Sequence, residues 1–248
     1  MALVLTRGDV ASLLTLDDCI AAIEDAFRRV GTGEARPAGI LGFPVAGGGF
    51  HVKAAALGDR FAAKVNGNFS GNPALGLPAI LGAILLSDSG NGRLLAVLDS
   101  IEITILRTGA ATAVAAKHLA RPTSRIATIC GCGNQGRVQL RALARVLVEH
   151  RFPRRRACQL RQAFVYDIEP RRAAALGELH HAIEAGSMRR EDVHAELGEI
   201  VSGRKRGRTD DEEITVFDST GTALQDGAAA ASVYAAATRL RKGIEIDL

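Results

Sequence analysis

Residues 125–137 hold the pattern that most limits the folds open to this chain. The apolar run Ile126-Ala-Thr-Ile-Cys130 leads directly into glycines with the spacing G-x-G-x-x-G. This order predicts a buried strand, a tight turn and a helix. Gly131 turns the chain, Gly133 lets backbone amides approach a pyrophosphate, and Gly136 lets the helix pack on the strand. The anion would then lie at the positive end of the helix dipole.

The glycine spacing alone is weak evidence, because the chain contains 27 glycines. A helix is predicted from Asn134 to about residue 149, and residues 162–167 indicate a second strand that ends at Asp167. A Rossmann unit places at this position the carboxylate that holds the adenosine ribose. The gap of 31 residues from Gly136 to Asp167 exceeds the usual gap of about 20, because an arginine-rich segment intervenes.

An aspartate that starts a turn is the alternative interpretation of Asp167. The order of strand, glycines, helix, strand and acid favours a dinucleotide site, and aspartate rather than arginine at 167 favours NAD over NADP. Only 81 residues follow Asp167, whereas a doubly wound domain has about six strands and each β-α-β step takes roughly 30 residues. One further strand is predicted at 213–218, between helices at 190–203 and 222–240. The predicted fold class is therefore α/β with an incomplete Rossmann-like domain.

The first hundred residues indicate an additional α+β unit. A helix is predicted at 15–33, followed by strands at 50–56, 61–67, 79–86 and 93–98. If the turn after the first of these strands is tight, Lys53 and Lys64 face each other, which is unfavourable unless an anion lies between them. Either both side chains extend into solvent, or they form a site for a substrate carboxylate. His51 shares the face of Lys53, although a lone histidine is more often an ordinary hydrogen-bonded residue than a catalyst.

A third cation lies near the start of a helix predicted at 104–120. This assignment puts Arg107 in the first turn, where a cation opposes the helix dipole. Either Arg107 is an ordinary surface residue, or it holds an anion together with the free amides of that turn.

Composition excludes several classes of protein. Aromatic residues make up 4% of the chain, without tryptophan, which argues against stacking surfaces for single-stranded nucleic acid. The net charge of +4 is modest, so no nucleic-acid partner is predicted. Four cysteines without C-x-x-C pairing indicate a reducing, cytoplasmic environment. No apolar run is long enough for a membrane helix, and His180, His181 and His194 match no metal-ligand spacing, so neither a membrane partner nor a metal is predicted.

Five motifs, the glycine motif among them, are spread along the chain: Lys64-Val-Asn-Gly67, Asn72-Pro-Ala-Leu-Gly-Leu-Pro78, Arg107-Thr-Gly-Ala-Ala-Thr112, Gly131-Cys-Gly-Asn-Gln-Gly136 and Phe217-Asp-Ser-Thr-Gly221. Together they closely resemble the ornithine cyclodeaminase/mu-crystallin family over nearly the whole chain. The resemblance implies a substrate and dimerisation domain at 1–120, completed by 221–248, and a truncated NAD-binding Rossmann domain at 121–220. A homodimer is also expected, because the strand edges of the first domain need to be covered.

The resemblance implies hydride transfer from the α-carbon of an amino acid to NAD+, which gives an imine. In the cyclodeaminase itself ornithine loses ammonia, closes to a ring and takes the hydride back to give proline. Relatives are alanine dehydrogenases, ketimine reductases and a ligand-binding crystallin. By position, Lys64 polarises the substrate carboxylate or a water molecule, and Arg107 pairs with the carboxylate. The implied substrate-binding residues are His51, Lys53, Lys64 and Arg107, and the implied cofactor-binding residues are Thr108, Gly131, Gly133, Asn134, Gln135, Gly136, Asp167 and Ser219.

This chain departs from the family pattern in several places. The family's catalytic aspartate lies in a glycine-rich segment of the later Rossmann half, and the chain passes from Leu176 to Gly177 without it, which predicts an internal deletion. His51 stands where the cyclodeaminase has a glutamate, which argues against ornithine as the substrate. Ala79 replaces a family threonine, and Gly136 replaces a small residue such as alanine or serine.

Two hypotheses about function follow. The first is an NAD-dependent, ornithine cyclodeaminase-like oxidoreductase or deaminase that acts on a small amino acid or cyclic imine, with alanine dehydrogenase and ketimine reductase as related activities. The second is a catalytically impaired or non-catalytic member that binds NAD or another ligand, either mu-crystallin-like or a truncated relic. The missing Rossmann half favours the second hypothesis, because it removes the implied general base.

Overall fold

The computed structural model describes residues 1–124, 126–130, 133–147, 162–166, 189–218 and 221–247. Its strands are β1 Ala2–Leu5, β2 Ala35–Val45, β3 Gly48–Leu57, β4 Arg60–Asn68, β5 Ile80–Asp88, β6 Leu94–Asp99, β7 Ile126–Cys130, β8 Gln162–Tyr166 and β9 Ile244–Ile246. A seven-stranded sheet has the order β2-β3-β4-β5-β6-β1-β9, and a second sheet pairs β7 with β8. The α/β class is confirmed.

The α-helices within these residues are α1 Arg7–Leu13, α2 Leu16–Thr32, α3 Ile101–Leu119, α4 Asn134–Leu147, α5 Leu197–Val201 and α6 Ala223–Leu240, with 3₁₀ segments at Asn72–Leu75 and Arg190–Asp192. Helix α2 begins where the sequence predicts it, because Thr15 Oγ1 accepts the backbone amide of Asp18 at 3.1 Å. Its apolar stripe is buried against the core. None of the described helices is both long and apolar enough to cross a membrane.

The hairpin of β3 and β4 places Lys53 directly opposite Lys64, as a tight turn requires. Alternation along the strands puts residues 51, 53 and 55 of β3 and 62, 64 and 66 of β4 on one face, the inner face. Helix α6 crosses this inner face, where Gly227 lies against Ala62. The two lysines are therefore covered by a helix instead of extending into solvent.

Helix α3 connects the two parts of the fold. Ile103 and Val114 of α3 are buried in the core that α2 and α6 share with the large sheet. Gly109, also in α3, packs against Val138 of α4. One helix thus contacts both the sheet that carries the lysines and the helix that follows the glycine turn.

The predicted strand, helix and second strand are confirmed around β7, while residues 131 and 132 of the predicted turn lie outside the described residues. Strands β7 and β8 are parallel, with Ile126 opposite Gln162 and Cys130 opposite Tyr166. Helix α4 starts at Asn134, directly after the glycine turn. Within the described part of the chain, no further strand joins this pair.

The prediction of a strand at 213–218 is wrong, because this segment has no strand conformation and pairs with none of the described strands. Its backbone is bound by side chains instead: Glu213 O accepts Arg208 Nη1 at 2.6 Å. Ile214 and Val216, which the prediction would bury in a sheet, are 89% and 69% exposed. A strand needs an adjacent edge, and sequence alternation alone does not supply one.

Two predicted helices have different bounds in the structure. Helix α3 starts at Ile101, three residues before 104, because Asp99 Oδ1 accepts the amide of Ile101 at 2.9 Å. The helix predicted at 190–203 is a short 3₁₀ segment followed by α5, which begins anew because Glu196 and Glu199 form a capping box. Strands β1, β2 and β9 and helix α1 were not predicted. Strand β9 pairs with β1 across almost the whole length of the chain, a contact that local pattern cannot reveal.

A Gly31→Ala substitution tests the packing of α2 against α5. The added methyl group would overlap the backbone carbonyl of Gly198, so the helices have to separate. Alanine gains about 1 kcal/mol of helix propensity, but overpacking costs typically 1–3 kcal/mol, and here the clash is with backbone. We expect a net loss in the free energy of unfolding, measured by urea denaturation.

The matched control is Gly8→Ala in α1, where the nearest atom to the new methyl group is Thr6 Oγ1 at 3.9 Å. This variant should be as stable as the parent or slightly more stable. Equal stability of the two variants would contradict the close packing of α2 and α5.

Candidate functional site

Lys64 is a buried cation, only 4% exposed, at the centre of the inner face. Its Nζ donates to Thr104 Oγ1 of α3 at 2.6 Å and to Asp226 Oδ1 of α6 at 2.8 Å. Thr104 Oγ1 in turn donates to Ser100 O at 2.6 Å, which fixes the hydroxyl. Two helices therefore hold this ammonium in one position.

Arg107 is the second buried cation, and it is 8% exposed. Because α3 starts at Ile101, Arg107 lies in the second helical turn, and its predicted position among the free amides of the first turn is wrong. The guanidinium extends across to α6 instead. Its Nε lies 3.2 Å from Asp226 Oδ1, and its Nη1 donates to Gln225 Oε1 at 3.0 Å.

Asp226 and Gln225 were not predicted as site residues. They lie in the first turn of α6, where the sequence predicts an alanine-rich helix and no site residue. Both are 2% exposed. Asp226 is the one acidic residue of this alanine-rich helix. Because a charged residue is almost never buried unless it is paired, this acid was the signal in the sequence for a buried ion pair.

Lys53 lies next to this cluster and is half-buried. Its Nζ donates to Gly221 O at 3.0 Å, just before α6. Gly221 has a φ of +69°, and a side chain there would overlap the Arg107 guanidinium. The glycine thus lets the chain pass close to Arg107 and turn into α6. The structure brings together Lys53, Lys64 and Arg107 among the predicted substrate residues.

Burial lowers the pKa of Lys64 to about 8, because the charged ammonium loses its hydration. Asp226 opposes this effect, while Arg107 and Lys53 reinforce it. Burial also lowers the pKa of Lys53. The thiol of Cys19, near Arg107 and Asp226, has its pKa raised to about 12 by burial and is therefore neutral.

His51 lies on the inner face but outside the cation cluster. Its Nδ1 is 3.3 Å from Asn68 Nδ2, which suits an ordinary hydrogen-bonded role. His194 Nε2 is 3.0 Å from Arg206 O. No group of three His, Cys, Asp or Glu side chains among the described residues is arranged to hold a metal ion.

Residues 133–135, at the start of α4, offer features that a pyrophosphate needs. Gly133, Asn134 and Gln135 are exposed, and the space where a side chain of Gly133 would lie contains no atom within 4 Å. The first amides of α4 have no acceptor within the helix and lie at its positive end. These residues fit a dinucleotide phosphate. Gly136 is half-buried where α4 begins.

The remaining predicted cofactor residues contribute little to this geometry. Thr108 donates its hydroxyl to Thr104 O at 2.7 Å, within α3. Gly131, Asp167 and Ser219 lie outside the described residues, so their predicted roles are untested.

The fold and these two features define an α/β protein with a glycine-turn nucleotide motif and a separate buried cation cluster. Comparison with known proteins specifies the class further. The sequence profile of the ornithine cyclodeaminase/mu-crystallin family matches residues 1–152 and 156–240. The chain belongs to this family of NAD-dependent enzymes.

Individual relatives agree with this assignment. The alanine dehydrogenase of Archaeoglobus fulgidus is 30% identical, over 98% of this chain and 98% of its own. A solved archaeal alanine dehydrogenase dimer with bound NAD superposes with a TM-score of 0.88 at 30% identity, covering 99% of both chains. The Δ1-pyrroline-2-carboxylate reductase of Thermococcus litoralis, solved with NADH and L-proline, has a TM-score of 0.86 at 26% identity, covering 98% of this chain and 100% of that chain.

The length of the first alignment is also informative. The alignment extends over 314 positions, whereas this chain has 248 residues. At least 66 positions of the alignment are therefore occupied only by the alanine dehydrogenase. Because the alignment reaches 98% of both chains, most of these positions are internal. This agrees with the predicted internal deletion, whose position after Leu176 lies outside the described residues.

Proposed function

We propose that this chain is an NAD-dependent amino-acid oxidoreductase or deaminase of the ornithine cyclodeaminase type. The observation that carries the proposal is that Lys64 Nζ and Arg107 Nε converge on one buried carboxylate oxygen, Asp226 Oδ1, at 2.8 Å and 3.2 Å. Cations held in this way suit a carboxylate, the group that all α-amino acids share. Lys64 makes a charge-assisted hydrogen bond, which is one of the strong kinds, and Arg107 Nε makes an ion pair without a hydrogen bond.

In this proposal Arg107 and Lys64 are the catalytic pair that binds and orients the substrate carboxylate. The guanidinium provides a planar two-point grip, and the ammonium adds a third donor. Lys53 and His51, on the same inner face, complete the substrate pocket. A lysine whose pKa is about 8 also exchanges a proton readily near neutral pH, which suits Lys64 to polarise a bound water molecule.

The cofactor is proposed to be NAD, which supplies a hydride acceptor when it is bound. Gly133, Asn134 and Gln135 would contact its pyrophosphate at the start of α4, because these residues are exposed at the positive end of that helix. Residues 121–220 would form the NAD-binding domain, and residues 1–120 with 221–248 the substrate domain. Helix α3, which carries Arg107, packs directly on α4, and this contact supports a proposal with the two sites in neighbouring elements.

The reaction consistent with this arrangement removes a hydride and a proton from an amino acid and leaves an imine. Water then hydrolyses the imine to a 2-oxo acid and ammonia. An alanine dehydrogenase or ketimine reductase would use the same carboxylate grip. This chain has no residue at 66 or more positions of its alignment with the alanine dehydrogenase. This difference favours a second candidate, a family member that binds NAD or a ligand without turnover.

We also propose a homodimer formed through the outer face, the sheet surface opposite the inner face. Its large apolar side chains are each more than a third exposed: Leu41, Phe43, Val45, Phe50, Phe61, Val65, Leu81 and Leu85. Monomers rarely expose apolar patches of more than a few hundred Å². A second copy of the same sheet is the self-complementary occupant that closed symmetry favours.

Turnover assays test the proposed activity. The protein should reduce NAD+ with at least one of L-alanine, L-proline, L-ornithine and L-lysine, or oxidise NADH with pyruvate and ammonium. Arg107→Met should raise KM for that substrate roughly 10- to 100-fold, since a hydrogen bond to a charged group contributes about 1.5–3 kcal/mol. The matched control is Arg60→Met. Arg60 lies on the same strand as Lys64, and this substitution removes a surface ion pair with Asp59.

An unchanged KM in Arg107→Met would contradict the proposed carboxylate grip. Binding of NAD+ without turnover of any substrate would instead establish the second candidate.

Light scattering tests the dimer. The parent protein should have about twice the chain mass of 26.1 kDa, and Val65→Lys on the outer face should give a monomer, because a charge would then be buried in the interface. Leu75→Lys, in the exposed 3₁₀ segment outside this face, should remain a dimer. A monomeric parent protein would overturn the proposal.

A further inference from the structure

The Lys64–Arg107 pair presents an electrostatic problem that the sheet does not solve. Both side chains are buried, and both are directed at the same point. Two like charges this close repel each other strongly where water is excluded. Ile84, the β5 partner of Lys64, is apolar, so the neighbouring strand supplies no counter-charge.

We propose that Asp226 is a positioning residue of the substrate site, whose Oδ1 holds Lys64 Nζ and Arg107 Nε together so that both cations can receive one substrate carboxylate. The role of Asp226 in turnover rests on the proposed function. Its structural part, the coupling of the three side chains, stands on the contacts alone.

The contacts of Asp226 show what the carboxylate does. Its ion pairs run from Oδ1 to the two cations, whereas Oδ2 is buried and accepts no hydrogen bond in the described structure. The side chain therefore caps no helix and binds no loop. Its place in the first turn of α6 is favourable for a negative charge, because the helix dipole is positive there.

Each of the two cations also donates one hydrogen bond to a partner of its own. Thr104 takes one hydrogen bond from Lys64, and Gln225 takes one from Arg107. Neither partner carries charge. Asp226 is thus the one counter-charge that the cations share among the described residues, and the two neutral acceptors fix the direction of each side chain.

Asp226 also determines the charge state of Lys64. The charged and titratable groups that face this lysine are Lys53 of β3, Arg107 of α3 and Asp226 of α6. Burial, Arg107 and Lys53 all lower the pKa of Lys64, and Asp226 alone raises it. Without the carboxylate, every remaining influence favours the neutral amine, which binds a substrate carboxylate poorly.

A titration of Lys64 tests this coupling without any assay of activity. The ¹³Cε signal of Lys64, assigned by its loss in Lys64→Arg, is followed by NMR from pH 6 to pH 11. The parent midpoint should be about 8. In Asp226→Asn the midpoint should fall by one pH unit or more, roughly a tenfold increase in the ratio of neutral to charged amine at a fixed pH.

Two further variants make the test specific. Arg107→Met removes a cation and should shift the midpoint upward, the opposite direction. Gln225→Leu removes a neutral hydrogen bond from the same guanidinium and should leave the midpoint unchanged. An unchanged midpoint in Asp226→Asn overturns the proposal, and if that variant does not fold, an unchanged midpoint in Arg107→Met overturns it as well.

Kinetics separate this inference from the proposed function. Asp226→Asn should raise KM for the amino acid at least tenfold at pH 7 with a smaller change in kcat, and it should leave NAD+ affinity unchanged. If the parent protein has no turnover, the proposed function fails while the NMR result still decides the coupling. A variant that loses only thermal stability, with KM and midpoint unchanged, would show a purely structural role.

Discussion

The arrangement of this protein depends on one carboxylate oxygen that two buried cations share. Asp226 Oδ1 accepts Lys64 from the sheet and faces Arg107 from α3, so a strand and two helices meet at a single point. Breaking a buried ion pair by removing one partner typically costs about 3–5 kcal/mol, because a buried charge is left uncompensated. The α6 helix, which comes at the end of the chain, is thereby tied to a hairpin formed near its beginning.

Elements whose signals are local could be predicted from the sequence. The hairpin of β3 and β4, the helix α2 and the order of β7, glycine turn, α4 and β8 depend on alternation, caps and glycine spacing over a few residues. Their register even placed Lys53 opposite Lys64. The segment 213–218 has the same alternation as a strand but no edge beside it, so its pattern was misleading.

The centre of the site could be predicted only in part. Lys64 and Arg107 were recognised through motifs, but their shared partner lies 162 residues after Lys64, and no local pattern links the two positions. The three-residue error at the start of α3 also gave Arg107 the wrong surroundings, an open first turn in place of a buried second turn. Long-range pairing and exact helix ends are set by tertiary packing, which single-sequence patterns do not contain.

The two halves of the proposed function have different support. On the proposed substrate side, both cations are buried and fixed by neighbours. On the nucleotide side, the exposed residues 133–135 at the start of α4 fit a pyrophosphate, while at least 66 positions of a related alanine dehydrogenase have no counterpart. The carboxylate grip is therefore the central claim.

A crystal structure of the protein soaked with NAD+ and either L-alanine or L-proline tests this claim most directly. We expect the ligand carboxylate within about 3 Å of both Lys64 Nζ and the Arg107 guanidinium, a normal hydrogen-bond distance. A ligand bound with its carboxylate elsewhere, and with both cations still directed only at Asp226, would contradict it.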